Sequence, residues 1–482
     1  MLFTEPTFLF LFLPVLLALY FATFSRSHGV YGNWLLMIAS VVFYARGGGA
    51  FTWLMLGSIA FNYWMAIAIA RRSGAAAGLL AFTIAVNLAV LGVFKYANFA
   101  ADNVNTVLLA LNRPALAVPR VLLPIGISFF TFHAISYVVD VYRGDATAQK
   151  SPVHAALYLL LFPQLIAGPI IRYRDIAGQL ARRTVSLDDF AHGVRRFVVG
   201  LAKKVLVANI VAGPADQIFA MAPGQLSAGH AWLGITCYTL QIYFDFSGYS
   251  DMAIGLGRMF GFRFPENFRW PYIAETVQDF WRRWHMSLST WFRDYLYLPL
   301  GGNRVSPART YVNLVIVFFL CGLWHGASWT FIIWGLFHGT FLVVERLGLA
   351  SRILRLWRPL RHLYLMLVVM VGWVFFRADT LAGAAAFLKA MAGLGPAQPT
   401  AYTVAWYLTP ELWLALAAGL IGSTPIVHAL GRWRDRWVEG GPRLVFASGL
   451  GALSTAALML LLAASIMQIA ARTYNPFIYF RF

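Results

Sequence analysis

Residues 310–344 read TYVNLVIVFFLCGLWHGASWTFIIWGLFHGTFLVV, and this stretch decides the class of fold. Two apolar segments, 310–323 and 329–344, flank a short turn that contains His325. Because a membrane-spanning helix needs about 20 mostly apolar residues, the pattern predicts two neighbouring membrane helices. An ionisable side chain in such a setting is costly and marks a functional site.

The same apolar pattern extends along the whole chain. Of the 482 residues, 60% are hydrophobic and only 12% are charged, whereas a soluble domain carries about 25% charged residues. The apolar runs predict roughly 11 to 13 membrane helices, of which the shorter ones are re-entrant or interfacial. We therefore expect an all-α, multi-pass membrane protein that forms one domain over residues 1–482.

The charge of the chain is strongly basic, with 38 Lys and Arg against 19 Asp and Glu and a net charge of +19. The basic residues lie between apolar runs, which is typical of cytoplasmic loops and of contact with anionic membrane lipids. This explanation argues against nucleic acid as a partner, and we expect none. The pairs Arg182-Arg183 and Lys203-Lys204 are predicted to lie in loops, where they would attract the phosphates of a donor.

Residues 275–297 carry aromatic residues at three- and four-residue steps, which predicts an amphipathic helix at the membrane interface or dipping into the core. His285 lies on this stripe, either as a solvated interfacial residue or as part of a site. Arg282 and Arg283 suit the phosphates of a donor. A pairing of either arginine with Asp279 at helical spacing is an equal alternative.

Two carboxylates, Asp245 and Asp251, lie near the end of another apolar run. They are too few to hold a metal ion without further ligands. Together with Tyr249 and the neighbouring serines, they predict a polar network that orients another group, with catalytic acid as the minor alternative.

Several kinds of chemistry have no signature in the sequence. The nucleophile elbow, the zinc-protease motif, the Walker sequence and the Rossmann glycine pattern are all absent. The two cysteines, Cys237 and Cys321, lie in apolar segments and are too few for a disulfide framework or a multi-cysteine metal site. We expect no metal and no bound cofactor.

Several long stretches in the same order resemble the membrane-bound O-acyltransferase family, within it the alginate O-acetyltransferase branch. The resemblance covers nearly the full length and is carried by residues 161–170, 243–254, 265–302, 321–329 and 474–480. It implies the fold of that family, in which helices surround a central tunnel.

The resemblance also implies roles for individual residues. His325 falls on the family's catalytic histidine, and His285 falls on its second characteristic position. Trp324 and Ser328 flank His325 and, with Arg282, Arg283, Asp245 and Tyr249, are expected to bind substrate. The implied reaction passes an acetyl group from acetyl-CoA through a periplasmic SGNH-type acetyltransferase subunit to an exported polysaccharide such as alginate, in a bacterial inner membrane.

Three alternatives remain at this point. His325 by itself is equally well a core histidine that is hydrogen-bonded across helices. The acyl group is D-alanyl or another group, and the acceptor is a different cell-wall polymer. A different class of function is a proton-coupled transporter or export channel, which predicts paired broken helices or further carboxylates in the membrane.

Overall fold

The computed structural model describes residues 1–24, 29–72, 74–395, 402–439, 444–471 and 474–476. Within these residues the chain forms helices and no β-strand, which confirms the expected all-α class. The α-helices are, in chain order, α1 (Leu13–Phe24), α2 (Val30–Gly48), α3 (Phe51–Arg71), α4 (Ala76–Ala110), α5 (Ile127–Arg143), α6 (Pro152–Leu160), α7 (Phe162–Leu165), α8 (Tyr173–Ala181), α9 (Leu187–Ala202), α10 (Asn209–Phe219), α11 (Ala228–Met259), α12 (Val277–Arg283), α13 (Met286–Phe292), α14 (Pro307–His325), α15 (Trp329–Val344), α16 (Ala350–Ile353), α17 (Arg358–Arg377), α18 (Leu381–Met391), α19 (Val404–Tyr407), α20 (Pro410–Gly422), α21 (Ile426–Glu439) and α22 (Leu444–Ala471).

Short segments of other helix types extend or join these helices. Four have the wider π-helical turn and two the tighter 3₁₀ turn. The π segments are Phe8–Phe12, Lys203–Ala208, Arg293–Tyr297 and Glu345–Leu349, and the 3₁₀ segments are Pro223–Gln225 and Pro271–Ile273.

The chain divides into two compact units. The first comprises Met1–Val194, Ala253–Pro265 and Gly326–Ser328, and the second comprises Arg195–Met252, Glu266–His325 and Trp329–Phe482. Both histidines singled out by the sequence lie in the second unit. The expectation of a single domain over residues 1–482 stays a prediction.

Seven helices of the described chain are long and apolar enough to cross a membrane, and an eighth span results if one bent pair is counted as a single crossing. This confirms a multi-pass membrane protein. The seven are Phe51–Arg71, Ala76–Ala110, Leu187–Phe219, Pro307–His325, Trp329–Ile353, Arg358–Arg377 and Gly451–Ala471; the bent pair is Pro410–Gly422 with Ile426–Trp433.

This number is lower than the 11 to 13 helices expected from hydropathy because several apolar runs form short or interrupted helices. The run over residues 153–171 is an example from the first unit. Pro163, Gly168 and Pro169 divide it, and proline lacks the N–H that a continuous helix requires. The non-helical backbone is satisfied instead by side chains, since the Ile171 N–H donates to Nε2 of His133 at 3.2 Å.

Candidate active site

The helical hairpin of α14 and α15 fixes the position of His325, which is the last residue of α14. Gly322 and Gly335 lie where the two helices meet. A Cβ atom at Gly322 would collide with the Phe331 carbonyl oxygen, and one at Gly335 would collide with the Phe318 carbonyl oxygen. The backbones of α14 and α15 therefore approach as closely as only glycine allows.

His325 is buried, with 6% of its surface exposed. Three aromatic rings contact its imidazole nearly edge to face. The ring centroids lie 4.9 Å away for Trp324, 5.0 Å for Trp334 and 5.1 Å for Phe376. The imidazole therefore lies in an apolar environment in which water is scarce.

His285 occupies a break between two short helices. The expected single amphipathic helix over residues 275–297 is wrong, because α12 ends at Arg283 and α13 begins at Met286. His285 adopts φ 44° and ψ 53°, a left-handed conformation that interrupts a right-handed helix and is uncommon for any residue with a Cβ atom. Such strain is concentrated at functional sites.

The His285 imidazole is 1% exposed and is held on one side only. Its Nδ1 lies 3.1 Å from Oδ1 of Asn267, and the Phe246 ring packs edge to face at 4.5 Å. Its Nε2 has no hydrogen-bond partner among the described residues. Burial lowers the pKa of the imidazole from its ordinary value to about 3, so His285 is neutral at physiological pH.

Trp324 connects the two histidines. Its ring lies 4.9 Å from the ring of His325 and 6.3 Å from that of His285, measured between centroids. Two imidazoles that are 40 positions apart in the sequence therefore belong to one buried aromatic cluster. Imidazole is the side chain that most often accepts and returns protons in enzymes.

The pattern that defines the family described as "MBOAT, membrane-bound O-acyltransferase family" matches residues 130–378 of this chain. This range contains the whole cluster around the two histidines and more than half of the chain. The chain belongs to this family.

Individual members of the membrane-bound O-acyltransferase family are similar over greater lengths. A probable alginate O-acetylase AlgI of Azotobacter vinelandii is 44% identical over the full length of both chains. A peptidoglycan O-acetyltransferase of Helicobacter pylori is 38% identical, over 82% of this chain and 80% of that protein. A teichoic acid D-alanyltransferase of Bacillus subtilis is 29% identical, over 45% of this chain and 58% of that protein.

Membership in the family makes the protein an O-acyltransferase, which sets aside the transporter alternative. The roles assigned to individual residues stay predictions. The structure brings together three of them, His285, His325 and Trp324.

The two predicted arginines differ in their surroundings. Arg282 is exposed. Arg283 donates from Nε to Oδ2 of Asp279 at 2.9 Å, which decides between the two pairings that the helical spacing left open.

The other predicted binding residues lie in or near α11 and the turn after His325. Asp245 forms a buried ion pair with Lys204 at 2.7 Å, and the expected network with Tyr249 and the serines stays a prediction. Tyr249 is buried in the same helix. Ser328 is half-buried and belongs to the first compact unit.

The expected loop setting is confirmed for Arg182 and Arg183 and wrong for Lys203 and Lys204, and the attraction of donor phosphates stays a prediction. Lys203 and Lys204 lie in a π-helical turn rather than a loop, and Lys203 forms an ion pair with Asp251 at 2.6 Å. Arg183 donates to Oδ1 of Asn33 at 2.6 Å and to the Phe260 carbonyl oxygen at 3.0 Å. These cations stabilise the protein internally.

Sequence reasoning missed several members of the cluster. His338 is fully buried, with ring centroids of Trp281 at 5.1 Å and Trp334 at 5.3 Å. Asn267, Trp334 and Phe376 were not selected at all. The position of His338 one helical turn after Trp334 was the only signal that could have placed it on the same face.

Proposed function

We propose that the chain is a membrane-bound O-acetyltransferase of a bacterial inner membrane that transfers an acetyl group from acetyl-CoA towards the hydroxyls of an exported polysaccharide such as alginate. The names of its relatives support this choice. Similarity to the alginate O-acetylase covers both chains completely, whereas similarity to the D-alanyltransferase covers 45% of this chain. Acetyl is therefore favoured over D-alanyl as the transferred group.

The observation that carries the proposal is the pair of buried imidazoles that both contact Trp324. Acyl transfer from a thioester requires a base for the attacking hydroxyl and exclusion of water, which would otherwise hydrolyse the donor. The rings of Trp324, Trp334 and Phe376 exclude water around His325. The imidazoles supply the base.

The reaction exchanges one bond to the acetyl carbon for another. The oxygen of the acceptor hydroxyl attacks the thioester carbonyl carbon while the His325 imidazole takes the hydroxyl proton. The tetrahedral intermediate then expels the sulfur, and the imidazolium returns the proton to the thiolate. The products are an ester and a free thiol, so His325 ends in its starting state.

His285 assists this exchange in one of two ways. As a hydrogen-bond acceptor, its Nε2 would orient the acceptor. As a donor, the same atom would stabilise negative charge on the carbonyl oxygen. The two roles require opposite protonation of Nε2.

The location and the partner follow from the chemistry of donor and acceptor. A CoA thioester carries several negative charges and does not cross a bilayer, so it reaches the protein from the cytoplasm. An exported polysaccharide lies on the other side. We infer that the chain lies in the inner membrane and passes the acetyl group to a periplasmic SGNH-type acetyltransferase subunit, which modifies the polymer.

Inner-membrane vesicles with an inverted orientation test the proposal, because they expose the cytoplasmic face to added labelled acetyl-CoA. His325→Ala is expected to lower label transfer by about 10²- to 10⁴-fold, the usual contribution of a general base. Equal transfer at equal protein amount would remove His325 from the mechanism.

A matched control is His428→Ala. His428 is an exposed histidine of α21, so the same substitution there removes an imidazole without touching the aromatic cluster. Its transfer rate is expected to equal that of the unmodified protein. Omitting the periplasmic partner should stop polymer acetylation and slow thioester consumption by the vesicles, because the acetyl group then has no recipient.

A further inference from the structure

Asn267 lies in the non-helical segment between α11 and α12 and is 1% exposed. It contacts His285 at the break and the first two residues of α13. Its backbone carbonyl accepts a hydrogen bond from the Met286 N–H at 2.9 Å. Its side-chain Oδ1 lies 3.1 Å from Nδ1 of His285 and 2.9 Å from Oγ of Ser287.

The orientation of the Asn267 amide follows from groups that have only one hydrogen-bonding role. The backbone N–H of Ser287 can only donate, and it lies 3.3 Å from Oδ1. On the other side, Nδ2 donates to Oγ of Ser250 in α11 at 2.9 Å. A flipped amide would place its NH₂ group against the Ser287 N–H, two donors facing each other in a buried site. Oδ1 therefore faces His285.

This orientation decides the tautomer of His285. An amide oxygen accepts hydrogen bonds and cannot donate one, so Nδ1 of His285 carries the hydrogen in their contact. Since the buried ring is neutral, its second nitrogen then carries a lone pair. That nitrogen, Nε2, is the atom with no hydrogen-bond partner in the described part of the chain.

We propose that Asn267 is a positioning residue that fixes His285 as the Nδ1–H tautomer, so that Nε2 accepts a hydrogen bond from the acyl acceptor and does not donate one to the thioester carbonyl. The proposal rests on the proposed acyl transfer and chooses between the two roles that it left open for His285. Stabilisation of the oxyanion must then come from other groups.

The charges around His285 leave this tautomer undisturbed. On α11, Asp245 is paired with Lys204 and Asp251 with Lys203 and Arg196. On α14, the titratable neighbour is His325, which is reached through the ring of Trp324. On α12, Arg283 is paired with Asp279. Every acidic group named here is already bound to a cation.

Nitrogen NMR of the full-length protein with labelled histidine observes the tautomer directly. The His285 signals are assigned by their loss in His285→Asn, since asparagine tolerates the left-handed backbone at this position. We expect the signal of a protonated Nδ1 and an unprotonated Nε2 near neutral pH. A protonated Nε2 would overturn the proposal. This measurement does not depend on activity, so it stands apart from the test of acyl transfer itself.

A pH profile of acetyl transfer tests the positioning role with Asn267→Asp. A carboxylate next to Nδ1 favours the charged imidazole, and an opposite charge in contact shifts a pKa by about one to three units. Because the protonated ring has no lone pair to offer, the acid limb of the profile should move upward by a comparable amount. An unmoved limb would show that Asn267 does not act through His285.

Ser287→Ala is the matched control for this profile. It removes the hydroxyl that also contacts Oδ1 but keeps the backbone N–H that orients the amide. The acid limb of the Ser287→Ala profile is expected to coincide with that of the unmodified protein. If the acid limb of Ser287→Ala shifted as far as that of Asn267→Asp, the shift would be caused by a general loosening of the backbone at His285, and the proposal would be overturned.

Discussion

The close approach of α14 and α15 at Gly335 makes the geometry of the active site sensitive to a single methyl group. Gly335→Ala would place a Cβ atom against the Phe318 carbonyl oxygen. Restoring an ordinary van der Waals separation requires the backbones to part by about 1 Å. Overpacking of this kind lowers the free energy of unfolding by about 1–3 kcal/mol.

The same displacement should also move Trp334, which precedes Gly335. The ring of Trp334 lies 5.0 Å from that of His325, so the position of the His325 imidazole should change with it. A misplacement of about 1 Å can lower a rate by about 10²-fold. We therefore expect Gly335→Ala to lose about two orders of magnitude in acetyl transfer while the protein still folds and enters the membrane.

The assay compares thermal unfolding in detergent with acetyl transfer in inverted vesicles. Gly92→Ala is the control, because Gly92 lies within α4 and a Cβ atom there would meet no atom within 4 Å. An alanine at that position should be neutral or stabilising by up to about 1 kcal/mol. If Gly335→Ala behaved like Gly92→Ala in both measurements, the hairpin would not be what positions His325.

Three further predictions concern the break at His285 and the ion pair of Asp245 with Lys204. His285→Gly should be more stable than His285→Ala by about 1 kcal/mol in thermal unfolding, because glycine adopts the left-handed conformation without a steric cost; equal stability would remove the argument from strain. The neutral His285 ring contributes its full stability above pH 6.5, roughly the pKa of histidine in the unfolded chain. That stability is lost as the pH falls towards the pKa of about 3 in the folded protein. The unfolding temperature should therefore fall more steeply from pH 7 to 5 in the unmodified protein than in His285→Gly. Lys204→Met should lower the free energy of unfolding by about 3–5 kcal/mol in chemical denaturation because it removes the cation that pairs with the buried Asp245 carboxylate. Lys204→Met/Asp245→Leu should recover most of that loss.

The class of fold could be predicted from the sequence because membrane helices leave a strong compositional signal. The hairpin of α14 and α15 is the clearest case, since the expected segments 310–323 and 329–344 both lie within its helices. The number of crossings could not be predicted in the same way. Hydropathy measures apolarity over a window, and it registers the run at 153–171 without registering that proline and glycine interrupt it.

Both histidines were singled out from the sequence, His325 by its apolar surroundings and His285 by its place on the aromatic stripe, and their roles stay predictions. Their mutual arrangement could not be predicted. Helical periodicity treats residues 275–297 as continuous because a single left-handed residue leaves the spacing of the aromatic side chains nearly unchanged. The contact of both histidines with Trp324 depends on that break. No sequence pattern could therefore have predicted the contact.

The part of the matched sequence that ends the chain illustrates a further limit. Residues 474–480 contribute to the resemblance, and residues 477–480 lie outside the described part of the chain. The described portion is tied to the second unit, since Asn475 accepts a hydrogen bond from Nδ2 of Asn209 at 3.1 Å. A motif at a chain end can therefore mark an anchoring contact rather than chemistry.

The strain at His285 and the position of Asn267 form one argument about how the site is built. A left-handed residue with a Cβ atom costs about 1–2 kcal/mol, and a buried nitrogen without a partner costs a further 1–3 kcal/mol, roughly. Asn267 offsets part of this free-energy cost through its hydrogen bonds with Ser287 and Ser250 as well as with His285. A continuous helix would avoid the strain, but it would move the imidazole away from Asn267 and release its tautomer. The break at His285 thus allows Asn267 to hold Nδ1 of the imidazole and leaves Nε2 to accept a hydrogen bond.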